Sequence, residues 1–130
     1  MSAGIAIGVG CRLGCSADLI EAVVRQALER APNTEPLGLF TVGDKAGERG
    51  LTEAARHLGL DLVFLTRDAL RDQATFVATA SIRTARLFGV PAVAEAAALA
   101  GAGAGSVLVV PRIANAGATC AIARRSENQS

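Results

Sequence analysis

The chain has 130 residues, 51% of them hydrophobic and 19% charged, which predicts one globular domain with a large core. Four Phe and no Trp or Tyr leave that core to Ala, Val, Leu and Ile, and they exclude a protein that stacks bases on aromatic platforms. Thirteen basic residues against twelve acidic ones give a net charge of +1, which excludes a broad polyanion surface, so any anion recognition is local.

The first stretch, Gly4-Ile5-Ala6-Ile7-Gly8-Val9-Gly10-Cys11-Arg12-Leu13-Gly14-Cys15-Ser16, reads as a buried strand, a glycine-rich turn and a helix start. Ile5, Ile7 and Val9 suit the strand, while Gly8, Gly10 and Gly14 allow sharp turning and close approach of a ligand. Ser16 is an N-cap for a helix over residues 17–31, and Asp18 suits its positive end. Such a loop aims backbone N–H groups at a point that favours anions, and Arg12 adds a permanent forked charge. The alternative is a plain βα turn with packing glycines and a solvated arginine.

Further along, residues 37–42 form a strand apolar enough to be central, followed by a polar loop over residues 43–47. A helix over residues 49–58 stops at Gly59, and residues 61–65 make a short third strand. Residues 71–81 lack a clean period and read as a loop, and residues 82–88 look helical until Gly89-Val90-Pro91. An alanine-rich helix over residues 92–100 carries Glu95 in its first turns, and residues 101–105 form a turn. Residues 107–110 and 119–122 are β-branched runs flanking a long loop over residues 111–117, a closing hairpin.

This order predicts an α/β fold: a single three-layer α/β/α domain over residues 1–124 with a mainly parallel sheet and a C-terminal hairpin, then a flexible polar tail over residues 125–130. Ligands of such sheets sit beyond the carboxyl ends of the strands, where Arg12 and Lys45 both fall. Three cysteines (Cys11, Cys15, Cys120) and no secretory signal predict a cytoplasmic chain. With His57 as the one histidine, they form no paired metal motif, and no apolar run is long enough to span a bilayer. Gly8-x-Gly10 suggests a dinucleotide site only weakly, because the next glycine, Gly14, comes one residue late for the fingerprint and no acidic residue closes the second strand.

Four blocks in order carry a resemblance to a known family. They are Gly8-Val9-Gly10-Cys11-Arg12-Leu13-Gly14 with Ser16, and Lys45-Ala46-Gly47-Glu48-Arg49-Gly50-Leu51. The third is Gly89-Val90-Pro91-Ala92-Val93-Ala94-Glu95-Ala96-Ala97-Ala98-Leu99. The fourth joins Leu108-Val109-Val110-Pro111-Arg112 to Thr119-Cys120-Ala121-Ile122-Ala123-Arg124. Together they resemble the cobalamin-biosynthesis family comprising CobE and the C-terminal domain of CbiG. The family usually has threonine where Cys15 stands, an acidic residue where Gly43 stands, and often lysine where Arg112 stands.

The resemblance implies a role in building the corrin ring of vitamin B12, whose tetrapyrrole intermediates bear many carboxylates. The expected function is binding of a carboxylated precorrin or corrinoid, presented or carried in the oxygen-dependent route, without efficient turnover. The alternative is an enzyme of lactone opening or a step linked to ring contraction, as in CbiG. Expected partners are that tetrapyrrole and other cobalamin-pathway enzymes, with no nucleic acid, membrane, cofactor or metal. Expected ligand-binding residues are Gly10, Arg12, Gly14, Ser16, Lys45, Glu48, Ser81 and Arg112. Lys45 is a carboxylate clamp or a solvated lysine; Glu48 a base, a partner of Lys45, or the cap of the second helix; Ser81 a ligand contact or a helix cap. Glu95 is the candidate catalytic acid, in an apolar helix that would raise its pKa, or it serves only the helix dipole. His57 reads as a surface histidine.

Overall fold

A computed structural model describes residues 3–12, 14–43, 48–66, 68–69 and 90–126. In chain order these form β1 (Ala3–Cys11), α1 (Ala17–Glu29), β2 (Thr34–Val42), α2 (Arg49–Leu58), β3 (Leu62–Leu65), α3 (Val90–Ala102), β4 (Val107–Ala114) and β5 (Ala118–Arg124). The loop and helix expected over residues 71–88, Lys45 and Ser81 lie outside the described residues, as does all of the expected tail beyond Ser126.

The alternation along β1 dictates the layers, because neighbouring side chains point to opposite faces. Ile5, Ile7, Val9 and Cys11 pack with Ile20, Val23, Val24 and Ala27 of α1 and with Leu51, Ala54 and Ala55 of α2. Ala6 packs on the other face with Ala94, Ala97 and Ala98 of α3 and with Phe40, beside Ala121 and Ala123 of β5. One face is branched and the other small, so α3 lies much closer to the sheet. The three-layer α/β/α architecture follows. All seven positions from Val93 to Leu99 are buried, which accounts for a helix without a polar stripe.

The five strands lie in the order β3-β2-β1-β5-β4. The mainly parallel sheet expected from the sequence is corrected to a mixed one: β3–β2 and β2–β1 are parallel, and β1–β5 and β5–β4 antiparallel. Two reversals cancel, so β4 runs in the direction of β1, β2 and β3, and β5 alone opposes them. The carboxyl ends of four strands therefore share one edge.

Two other expectations change. Gly8 and Gly10 are strand residues, paired with Ala121 and Thr119, so neither turns the chain. Gly14, at φ +75°, makes the turn. The hairpin loop is shorter than expected, because β4 continues through Pro111–Ala114 and only residues 115–117 connect the strands. Its register slips by one residue between Val110 and Ile113, a β-bulge at Pro111 and Arg112. Proline has no N–H to offer a ladder, so the strand survives there only as an irregular edge.

Candidate functional site

The loop from β1 to α1 is fixed from three sides. Arg12 N–H donates to Gly117 O (2.9 Å), tying the loop to the hairpin. Ser16 Oγ accepts from Leu19 N–H (3.3 Å), the N-cap expected from sequence. Gly14 N–H donates to Glu48 Oε1 (2.8 Å), so a carboxyl group of the chain itself already sits at the glycine loop. Glu48 is the N-cap residue of α2 by position, but its side chain makes no capping bond there. The cap role expected of it is thus replaced by a bridge from α2 to the loop, which only the meeting of residues 34 apart reveals.

The interior of the sheet near this edge is held by two buried threonines. Thr41 Oγ1 donates to Val9 O (2.7 Å) and Thr119 Oγ1 to Gly10 O (3.3 Å), from the strands on either side of β1. At the hairpin, Asn115 Oδ1 accepts from Gly117 and Ala118 N–H (3.1 and 3.0 Å), and its Nδ2 donates to Leu19 O (2.8 Å). Asn115 so couples the turn to α1. The Asn-x-Gly turn was a visible signal for it.

Arg12 is exposed at the end of β1, whereas Arg112 is half-buried in the β4 bulge. Ile113 pairs with Cys120, which pairs with Val9, so Arg112 lies about four residues short of Arg12 along the strands and two strands away. That places their backbones on the order of 10 Å apart in each direction. Two separated cations thus stand where the loop alone predicts a single point.

Glu95 has no exposed surface. It is the sixth residue of α3, because the helix begins two residues earlier than expected, and its Oε2 accepts from Arg112 N–H (3.0 Å). The side chain of Arg112 contributes a second observation: its Nε is buried with no hydrogen-bond partner among the described residues.

An open cleft of about 330 Å³ lies where α1 and α2 begin, lined by Cys15, Ser16, Asp18, Arg49, Glu53 and His57 among others. His57 Nδ1 and Glu21 Oε2 are 2.6 Å apart in a hydrogen bond, with Arg25 on the other Glu21 oxygen at 3.8 Å. His57 is a surface residue, as expected, but it has a carboxylate partner and shares this cleft with Cys15. Sequence separation had set the two far apart, and no local signal joins them. Burial pushes the Cys15 thiol above its ordinary range, Glu48 adds to that, and Arg12 only partly opposes it. Among the described residues no cluster of three metal-ligating side chains occurs.

Cys120 is fully buried, and burial pushes its thiol far above the ordinary 9.0. Above about pH 9 the unfolded chain loses this proton and the folded one keeps it, so stability is unaffected below that pH and falls as pH rises beyond it, by up to about 1.4 kcal/mol per unit. Urea unfolding midpoints in reductant at pH 8 and pH 10 check this, and Cys120→Ala flattens the loss.

These elements define an α/β/α domain whose strand ends, helix N-terminus and separated arginines gather at one edge. The family model described as Cobalamin synthesis G C-terminus matches residues 5–123. Protein CobE of Sinorhizobium sp. is 34% identical over 124 residues, covering 93% of this chain and 80% of that protein. The crystal structure of CobE, a protein from the cobalamin (vitamin B12) biosynthetic pathway, superposes with a TM-score of 0.82 at 30% identity, covering 95% of both chains. The cobalamin biosynthesis protein ChiG of Agrobacterium tumefaciens gives 0.71 at 40% identity, covering 95% of this chain and 99% of that one. This chain belongs to the CobE/CbiG C-terminal family and is a cobalamin-biosynthesis protein. Among the described residues, no helix is long and apolar enough to cross a membrane.

Proposed function

We propose that this chain binds a carboxylated precorrin or corrinoid and presents or carries it along the pathway, with no chemical step of its own. The observation that carries the reading is the separation of Arg12 and Arg112 along one sheet edge, beside the N-terminus of α1. A tetrapyrrole rimmed with carboxylates meets several such cations at once, and each bidentate guanidinium contact is a strong one. Lys45, in the chain between β2 and α2, supplies a further cation to the same ligand. Gly10 serves this site through its carbonyl bond to Thr119, and Gly14 and Ser16 through the shape of the loop.

The test is an absorbance titration with cobyrinic acid, a corrin whose side chains end in carboxylates, against cobinamide, whose side chains are amides. The acid binds and the amide does not, and Lys45→Ala weakens the acid by about 1–3 kcal/mol at low salt. Equal affinity for both ligands overturns carboxylate recognition. Mass analysis after anaerobic incubation with a lactone-bearing precursor then separates carrier from enzyme: a ring-opened product formed by this protein alone overturns the carrier reading. Pathway enzymes are the natural recipients of the carried ligand, and co-elution with one of them in the presence of cobyrinic acid tests that transfer.

A further inference from the structure

We infer that Glu95 is a positioning residue that sets Arg112 as a carboxylate receptor, with the inward Nε edge of the guanidinium as the receiving side. The inference rests on the proposed carboxylate recognition and names the residue pair that performs one part of it.

The bulge at Pro111 and Arg112 interrupts the ladder between β4 and β5, leaving the Arg112 N–H without a strand partner at that level. A buried backbone N–H left unpaired costs about 1–3 kcal/mol, so such a bulge needs an acceptor. Glu95 supplies it: Oε2 lies 3.0 Å from Arg112 N, on a side chain with no exposed surface. Alanines at 94, 96, 97 and 98 surround it on α3, all buried, so the carboxyl group reaches the strand through small residues that leave it room. A fully buried polar side chain in an otherwise apolar helix thus reaches the edge strand at the bulge.

That point carries an orphaned atom. Arg112 Nε is buried without a hydrogen-bond partner, a state it shares among the described residues with Arg125 Nε, which lies past β5 beside Gly4 at the opposite edge of the sheet. A buried guanidinium N–H without a partner is costly unless a ligand completes it. Nε and the adjacent terminal nitrogen together form the side-on fork that fits one carboxylate in two parallel hydrogen bonds. Because Glu95 grips the backbone and not the side chain, it fixes where the residue at 112 projects, whichever cation stands there. Nε itself belongs to arginine alone, so lysine at 112 keeps the position and loses the fork.

Two readouts test the assignment, one independent of the corrin ligand. In the nitrogen-15 spectrum of the full chain, the Arg112 Nε–H resonance shifts on titration with acetate in wild type and Glu95→Gln, which keeps an acceptor, but not in Glu95→Ala. In the cobyrinic acid titration, Glu95→Ala and Arg112→Ala each weaken binding by about tenfold, the double variant no more than either, and Glu95→Gln stays within about twofold of wild type. Arg112→Lys falls between. Additive losses, or Glu95→Ala binding as tightly as wild type, overturn the positioning role. If Glu95→Ala does not fold, Glu95→Gln and Arg112→Lys still decide: loss in Glu95→Gln equal to that in Arg112→Ala overturns it. Failure of wild type to bind cobyrinic acid with an intact acetate response removes the proposed ligand and leaves the receptor standing. No acetate response at Nε overturns the receptor itself.

Discussion

Gly8→Ala is expected to destabilise the domain by about 3 kcal/mol, the upper end for an overpacked core. A Cβ at this position meets the carbonyl oxygen of Ala94 and the backbone nitrogen of Ala98 at distances no real methyl group tolerates. Neither atom belongs to a flexible side chain that can swing aside. The whole of α3 has to lift from β1, and with it the small-residue packing of Ala6, Ala97, Ala98, Ala121 and Ala123. For a chain of this size the loss lowers the thermal midpoint by roughly 10 °C. Urea unfolding followed by circular dichroism measures it; a loss below about 1 kcal/mol would mean that α3 does not sit against Gly8 as described. Since Glu95 lies on α3 one residue after Ala94, the same variant also displaces the acceptor of the Arg112 amide.

Gly50→Ala is expected to cost about 2 kcal/mol, also by overpacking, and to open the glycine loop. Its Cβ collides with the carbonyl oxygen of Cys15 and comes within 3.3 Å of Ala17 N. The first turn of α2 presses on the loop that starts α1, and this contact keeps Glu48 within reach of Gly14 N–H. The variant pushes α2 outward, so the Gly14 amide resonance loses the signature of its bond to Glu48 while the hydrophobic core survives. Glu48→Ala removes the same bond without moving α2 and serves as its control. If Gly50→Ala leaves the Gly14 resonance unchanged, the α2 contact does not hold the loop.

The elements were legible because local chemistry specifies them. Ser16 caps α1 and Gly59, at φ 72°, closes α2, both readable from residue type alone. The ends of β4 were misread because Pro111 normally argues against a strand; a bulge at a sheet edge tolerates it. At Gly8 the expectation changes because glycine signals close approach without saying of what. At Gly8 the approaching group is α3, not a ligand.

Periodicity and capping fix α1, β2, α2 and their layers, and the four sequence blocks fix the family, since each depends on residues near one another in the chain. What only the tertiary structure decided is who meets whom across long separations. Glu48 meets Gly14, Glu21 meets His57, and Glu95 meets the Arg112 amide, over 34, 36 and 17 residues. The direction of β4 was likewise decided only by pairing, since it is aligned with β1 through the reversed β5. A hydrogen bond needs its partners within about 3 Å, and no spacing along a chain sets that distance once the partners lie on different layers.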